Sequence, residues 1–262
     1  MSIESFALVK DFINTYLGGD IDKLVNFDLK ELAGDKVYGC PDRKFDADDC
    51  NLMRAVYCLV YGEVWPNLTM DNSGEGKMRG DTMNSSATFF SYPWNDKFTP
   101  KWNPPFELSE KIKAFQSTFH TIGNMTVLPD RRIDEWSINK HRGCHDEWHD
   151  YEDRFLAALY KVLMQMPDAD ADLQELVELN KIDFHPFYGN EGWRYFIKGN
   201  LLEYYVDENY VPVITSKGYT WWRGGYTNKE RFFEEANRYI DKSTEIIKHR
   251  GKRIVERLKI VL

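Results

Sequence analysis

A mainly α architecture, with a small β element and one globular domain closed by a long C-terminal helix, is the fold class this sequence predicts. Three observations lead there. Apolar residues recur every three or four positions from Trp148 to Leu163, and again from Phe232 to Leu258, the spacing that gathers them on one side of a helix. The stretch 48–61 carries Leu52, Met53, Val56, Tyr57, Leu59 and Val60 on most of its sides, as a helix inside a core does. The clearest strand-like run, 125–128, is four residues long and is stopped by Pro129.

Taken in order, the chain opens with Ile3, Phe6, Phe12, Ile13, Tyr16 and Leu17 near helical spacing, halted by Gly18-Gly19. Asp20 can cap a short second helix bearing Ile21, Leu24, Val25 and Leu32. With the buried helix 48–61 these form an N-terminal helical subregion, 1–62. Residues 62–106 are punctuated by Gly, Asn, Asp and Pro around short aromatic pieces, an irregular stretch in which 86–92 is the candidate strand to accompany 124–128. A helix follows over 108–119. Beyond the polar loop 129–145, the amphipathic run from Trp148 ends before Pro167, and a short helix covers 170–180. The aromatic segment 184–226 predicts a helix around 193–197 and β-structure near 210–214. Thr227 and Glu230 form a capping-box pattern at the start of the last helix, which Gly251 could bend. No internal repeat or low-complexity linker divides the chain, which favours one domain over 1–262.

Hydrophobic residues make up 42% of the 262 and aromatics 15%, enough apolar surface to offset chain entropy and to exclude a disordered chain. No apolar run approaches the roughly 20 residues that cross a bilayer, and the opening MSIESFALVKDF carries acids where a signal peptide needs a basic and then an apolar stretch. A cytoplasmic protein is expected. Cys40, Cys50, Cys58 and Cys144 form no CxxC pair, so reduced thiols are expected too, with Cys50 and Cys58 in the core. With 34 Lys and Arg against 42 Asp and Glu, the net charge of −8 disfavours general binding of duplex DNA. Local basic patches are expected at Arg131, Arg132, Lys140 and Arg142 and at Lys248, Arg250, Lys252 and Arg253.

The segment 119–143, FHTIGNMTVLPDRRIDEWSINKHRG, is the richest in chemistry. It sets Asn124, Arg131, Arg132, Asn139 and Arg142 beside glycine turns and the apolar run. Arg offers a fork of donors to an anion and Asn offers a donor and an acceptor, a combination suited to planar or anionic ligands. The plainer reading is that Asn and Gly serve tight turns while Arg ties loop carbonyls to acidic helices.

The motifs HTIGNMTVLP, SINKHRG and WHDYEDRFLAAL, with the upstream RGDTMNS and the C-terminal RGKRIVERLK, resemble a family of uncharacterised bacterial proteins, over about 75–165 and the last helix. The resemblance transfers no activity, but it implies that the loop 79–85, with Arg79, Asp81 and Asn84, faces one site with the 119–143 loop. A weaker resemblance links 123–128 to the GNLTLL segment of HNH-type nucleases, with His120, Asn124 and Asn139 as candidate catalytic residues. The Asp-His pair such nucleases use to activate water on a divalent metal is missing upstream.

His145 and His149 lie four apart, as two imidazoles on one helix face of a zinc site do, with Asp153 as a third candidate ligand. The Glu that follows the first His in zinc proteases is Asp146 here, and an acidic first helical turn accounts for the same residues. No GxxxxGK[ST], GxGxxG or GxSxG occurs, which removes the usual support for nucleotide hydrolysis, dinucleotide binding or serine-hydrolase chemistry. The aromatic loop 219–225 is expected to pin itself to the core.

The expectation is therefore a binding or regulatory protein of bacterial or phage origin, in a defence or counter-defence setting, that takes a small anionic or nucleotide-like ligand or a protein partner. Its ligand residues would be Arg79, Asp81, Asn84, Asn124, Arg131, Arg132, Asn139 and Arg142, with no cofactor and no membrane. On this reading Arg142 and Asn124 could be truncated without loss of the fold. The alternative is a metal-dependent hydrolase or nuclease with a degenerate HNH-like site.

Overall fold

The last and longest helix among the described residues, at the C-terminus, organises the rest. The computed structural model describes residues 3–40, 46–70, 78–84, 105–144, 152–214 and 229–262. Helix α1, Ile3–Leu17, buries Val9, Phe12, Ile13 and Leu17 on one side and ends where Gly18 and Gly19 take φ of +64° and +83°, which lets the Gly19 N–H return to the Ile13 carbonyl. Two 3₁₀ turns follow, Ile21–Asn26 and Leu29–Leu32, each opened by a carboxylate, Asp20 or Asp28, that accepts from the backbone N–H two residues on. Helix α2, Asn51–Tyr61, is buried on nearly every side, as its composition predicts.

The β element is a two-stranded antiparallel sheet of β1, Met78–Thr82, and β2, Met125–Pro129, paired with Gly80 opposite Val127. Strand β2 is buried along its whole length, so its backbone groups need partners inside the protein. They find them at 78–82, which the sequence reading assigned to a polar loop; the expected strand 86–92 lies outside the described residues. Gly80 permits the pairing. A Cβ there would stand 1.7 Å from the Asp48 carbonyl oxygen, so only glycine lets the turn 47–49 lie against the sheet.

Helix α3, Phe106–Phe119, precedes β2. After it come α4, Ile138–Cys144; α5, Glu152–Leu163; α6, Ala171–Leu179, capped by Asp170; α7, Lys181–Phe184; and α8, Gly189–Gly199. The expected β-structure at 210–214 is reduced to an isolated bridge between Val206 and Pro212. Trp65 meets Phe184, Phe187 and Phe196 edge to face and donates to the Asn200 side chain at 2.8 Å.

Helix α9, Lys229–Val261, runs unbroken through Gly251 and touches both buried clusters. Its first half packs Phe233, Ala236 and Ile240 against Leu108, Ile112 and Phe115 of α3. Its second half enters the main cluster, which gathers residues from Val9 to Leu258. There the expected C-terminal basic patch does not form, because its arginines are used internally. Arg250 is 1% exposed and Arg253 pairs with Glu203. Arg257 donates to the carbonyls of Val60, Lys198 and Gly199, capping the ends of α2 and α8. No helix among the described residues is long and apolar enough to cross a membrane.

The crossing of α9 over the turn before β2 is made by two glycines with different tolerances. A Cβ on Gly123 would lie 1.9 Å from the Ile247 carbonyl oxygen, whereas one on Gly251 would meet Val25 at 3.4 Å, an ordinary contact. Gly123→Ala should therefore cost at least about 2 kcal/mol. Gly251→Ala, relieving a helix of glycine, should be neutral or stabilising by up to about 1 kcal/mol. Denaturant melts of the two variants check the contrast.

Candidate functional site

The residues singled out from the sequence fall into two groups toward opposite ends of the sheet. One is an interior knot. Arg142, on α4 and fully buried, donates to the Asp81 carboxylate at 2.5 Å, to the carbonyls of Thr82 and Met83 at 2.6 and 3.2 Å, and to the Glu152 carboxylate at 3.3 Å. One side chain so fastens the end of β1 to the start of α5. Beside it, Asn84 and Asn124 clasp each other. The Asn124 side-chain oxygen accepts from the Asn84 backbone and side chain, and its amide donates to the carbonyls of Asn84 and Phe119. Asn84 also donates to the Tyr205 hydroxyl at 3.0 Å and accepts from that of Tyr239 at 3.2 Å. Arg142 and Asn124 are thus structural ties, and the expectation that they could be truncated without loss of the fold is corrected: removing one partner of a buried ion pair costs about 3–5 kcal/mol, and each buried partner that loses the Asn124 amide costs about 1–3 kcal/mol.

The knot carries more acid than its arginine balances. Burial pushes the Glu152 carboxyl up to about 7 against the opposing pull of Arg142 and Arg250, with Asp81 and Asp153 adding to the rise. Asp48, beneath Gly80, is pushed up to about 9 by burial, by its hydrogen bond with Asp46 and by the charge of Asp81. Both shifts act in one direction. A carboxyl whose value is higher in the fold than in the open chain stabilises the fold fully below its open-chain value, and that contribution fades as pH rises through the folded one.

The second group is half-exposed and lies where β2 leaves the sheet. Asp130, whose side chain is 5% exposed, holds Arg132 at 2.8 Å and Arg79 at 3.8 Å, both to its Oδ2 oxygen. Arg79 projects from β1 with 39% of its side chain exposed, and Arg132 with 44%. Asn139, on α4, reaches the Arg79 carbonyl at 3.5 Å, and the Arg131 backbone N–H is held by the Asn180 side chain at 3.3 Å. The structure thus brings Arg79, Arg132 and Asn139 together, with Arg131 between Asp130 and Arg132 in the chain. Asp130, the residue that organises them, was not singled out from the sequence, although it stands directly between Pro129 and the two arginines.

His120 stands apart from both groups. Its ring meets the edge of Phe119 at 4.5 Å, its carbonyl accepts from Leu29, and burial together with Lys30 pushes it down to about 4, so it is neutral near pH 7. Asp153 is buried in the first turn of α5, while His145 and His149 lie outside the described residues, as does the loop 219–225. Among the described residues no three or more His, Cys, Asp or Glu are grouped to hold a metal ion.

Residues 67–254 match a family of unknown function, DUF6994. The chain belongs to that family. The DUF6994 region takes in β1, β2, α4 and all residues of both polar groups, together with the segments 79–85, 120–129, 137–143 and 148–159. No curated protein and no solved structure matches the chain.

The thermal midpoint of the wild-type protein should fall as pH rises from about 4.5 through 7, the window set by the Glu152 shift. Glu152→Gln should flatten that part of the profile. A calorimetric pH series on both proteins reads this directly, and parallel profiles would count against the assignment to Glu152.

Proposed function

We propose that this DUF6994 protein binds a small anionic ligand where Arg79 and Arg132 meet on Asp130, with Arg131 between Asp130 and Arg132 in the chain. The observation that carries the reading is the sharing of one carboxylate oxygen, Asp130 Oδ2, by two half-exposed guanidinium groups. Each guanidinium presents five N–H donors in a planar fork, far more than one oxygen can accept. Two arginines against one aspartate leave a local charge of about +1, by simple count of formal charges. The chain as a whole carries −8. At physiological salt, charge acts over about 8 Å, so the arginines govern a small ligand while the wider surface repels an extended polyanion.

The side chains that hold the fold and those offered to a ligand are separate. Arg142, Asn84 and Asn124 have their hydrogen bonds inside the protein, whereas Arg79 and Arg132 reach solvent. Strand β1 links the two, with Arg79 turned to the ligand group and Asp81 to the knot. A regulatory role fits that layout, because a ligand that draws on Arg79 acts on the strand that Arg142 anchors to α5.

Inorganic phosphate, titrated at constant ionic strength, should raise the melting temperature in a saturable way, as a ligand that binds only the folded state does. Arg132→Gln and Arg79→Gln should each weaken phosphate at least about tenfold, while costing the free protein only about 0–1 kcal/mol because each leaves Asp130 one arginine. A response that does not saturate, or that survives both substitutions unchanged, would overturn the reading.

A further inference from the structure

Two cysteines lie opposite each other in a register that the backbone sets. The Tyr38 carbonyl accepts from the Leu52 N–H and the Gly39 carbonyl from the Asn51 N–H, each at 3.0 Å, and the Asn51 side chain donates to the Val37 carbonyl at 2.9 Å. The two segments therefore run antiparallel, 38 beside 52 and 39 beside 51, and the next pair in that register is Cys40 with Cys50. The Cys40 side chain is turned the same way. Its Sγ donates to the Asp46 carbonyl at 3.5 Å, and that carbonyl also accepts at 3.3 Å from the N–H of Asp49, the residue before Cys50. Both are free thiols, Cys40 half-buried and Cys50 fully buried. We propose that Cys40 is a site of oxidation by hydrogen peroxide, and that Cys50 resolves the oxidised Cys40 into a reversible Cys40–Cys50 disulfide.

The segment that carries Cys40 is held in place. The Asp35 carboxylate accepts from the N–H groups of Val37 and Tyr38, and a Cβ on Gly39 would stand 2.5 Å from the carbonyl oxygens of Leu32 and Asp35. Cys58, eight residues along α2 from Cys50, is about 12 Å further on at 1.5 Å per residue, out of reach of the same bridge. Burial sets the order of events. Solvent reaches Cys40 but not Cys50, and burial pushes the Cys50 thiol up to about 12, which keeps it protonated in the reduced protein. The Cys40 thiolate attacks a peroxide oxygen, so that an S–O bond forms, the O–O bond breaks, and the hydroxide that leaves is protonated to water. Cys40 is then a sulfenic acid. The Cys50 sulfur attacks the Cys40 sulfur, an S–S bond forms, the S–O bond breaks, and the departing hydroxide takes the Cys50 proton as a second water. The two thiols together lose two electrons and two protons, and the peroxide is reduced to two waters. The bond closes a ring around the turn 47–49, which lies against Gly80 of β1.

Peptide mapping of the full wild-type chain, treated with hydrogen peroxide, alkylated and digested without reductant, should recover a peptide that joins Cys40 to Cys50. Dithiothreitol should return both thiols. Cys40→Ser should leave Cys50 reduced at the same dose of peroxide. Cys50→Ala should trap the sulfenic acid, read as a gain of about fivefold or more in dimedone labelling of Cys40 over the wild type. Melting curves report whether each variant is folded before peroxide is added, and the wild-type map decides the question if one is not. Recovery of Cys40 and Cys50 both as thiols, at a dose that oxidises Cys58, would overturn the proposal. So would a bridge from Cys40 to Cys58, to Cys144 or to a second chain, and a Cys40 sulfenic acid that persists in the wild type would overturn the role of Cys50.

Discussion

A single buried cation, Arg250, ties together elements that lie far apart in the chain. Its guanidinium, in the second half of α9, donates to the carbonyls of Gly123, Met125 and Asn200 and to the Tyr61 hydroxyl, and it lies 5.6 Å from the centre of the Tyr61 ring. An isolated charge in a core is unfavourable by many kcal/mol unless its donors are met. Here they are met by three backbone oxygens and a phenol. The Asn200 carbonyl follows the end of α8, where the helix dipole is negative, which adds to the welcome. Through this one side chain α9 fixes α2, α8 and the turn that leads into β2, and so fixes the sheet on which both polar groups are built.

Arg142 solves the same problem with different partners. It meets two carboxylates as well as two carbonyls, and packs at 6.0 Å from the Phe155 ring. Burial, with the charge of neighbouring acids added to it, pushes the Glu152 and Asp48 carboxyls up together. Asp130 shows the opposite imbalance, with arginines in excess of acid at the rim of the same sheet. The two imbalances sit on the same strand and the same helix, since β1 carries Arg79 and Asp81 while α4 carries Asn139 and Arg142. Rigidity on one side and unspent donors on the other are what a binding site on a small sheet requires.

Most of the helices were legible in the sequence because periodicity and caps are local, but α4 was not: it forms within the expected polar loop 129–145, where Ser137-Ile-Asn-Lys-His has no apolar period. The Gly18-Gly19 stop, the caps at Asp20 and Asp170 and the apolar face of α9 all follow from residues within a turn or two of one another. Strand β1 was not legible, since Met-Arg-Gly-Asp-Thr, though as long as β2, has little strand propensity. It is a strand because β2 is buried and because Gly80 leaves room for the turn at 47–49, both facts of tertiary contact. The polar residues behaved likewise. Sequence identified Asn124, Arg142 and Arg250 as chemically able, but whether an arginine faces water or a ring of carbonyls depends on elements that lie 60 and 61 positions away for Arg142, at Thr82 and Asp81, and up to 189 for Arg250. Asp130 was passed over because a lone aspartate after proline looks like ordinary turn chemistry.

The place of α9 in the chain has a consequence for how the protein is made. Every element that Arg250 and Arg257 fasten is synthesised before the helix that carries them, and the Tyr61–Arg250 pair joins residues 189 positions apart. Contacts of such sequence separation are slow to form, because the intervening chain must lose its freedom first. A nascent chain that has completed α8 therefore holds Tyr61, Gly123 and Asn200 ready without the cation that joins them. Until the last turns of α9 emerge, its aromatic core is open to whatever else in the cell will cover it, and protection by a chaperone at the ribosome would act in that interval.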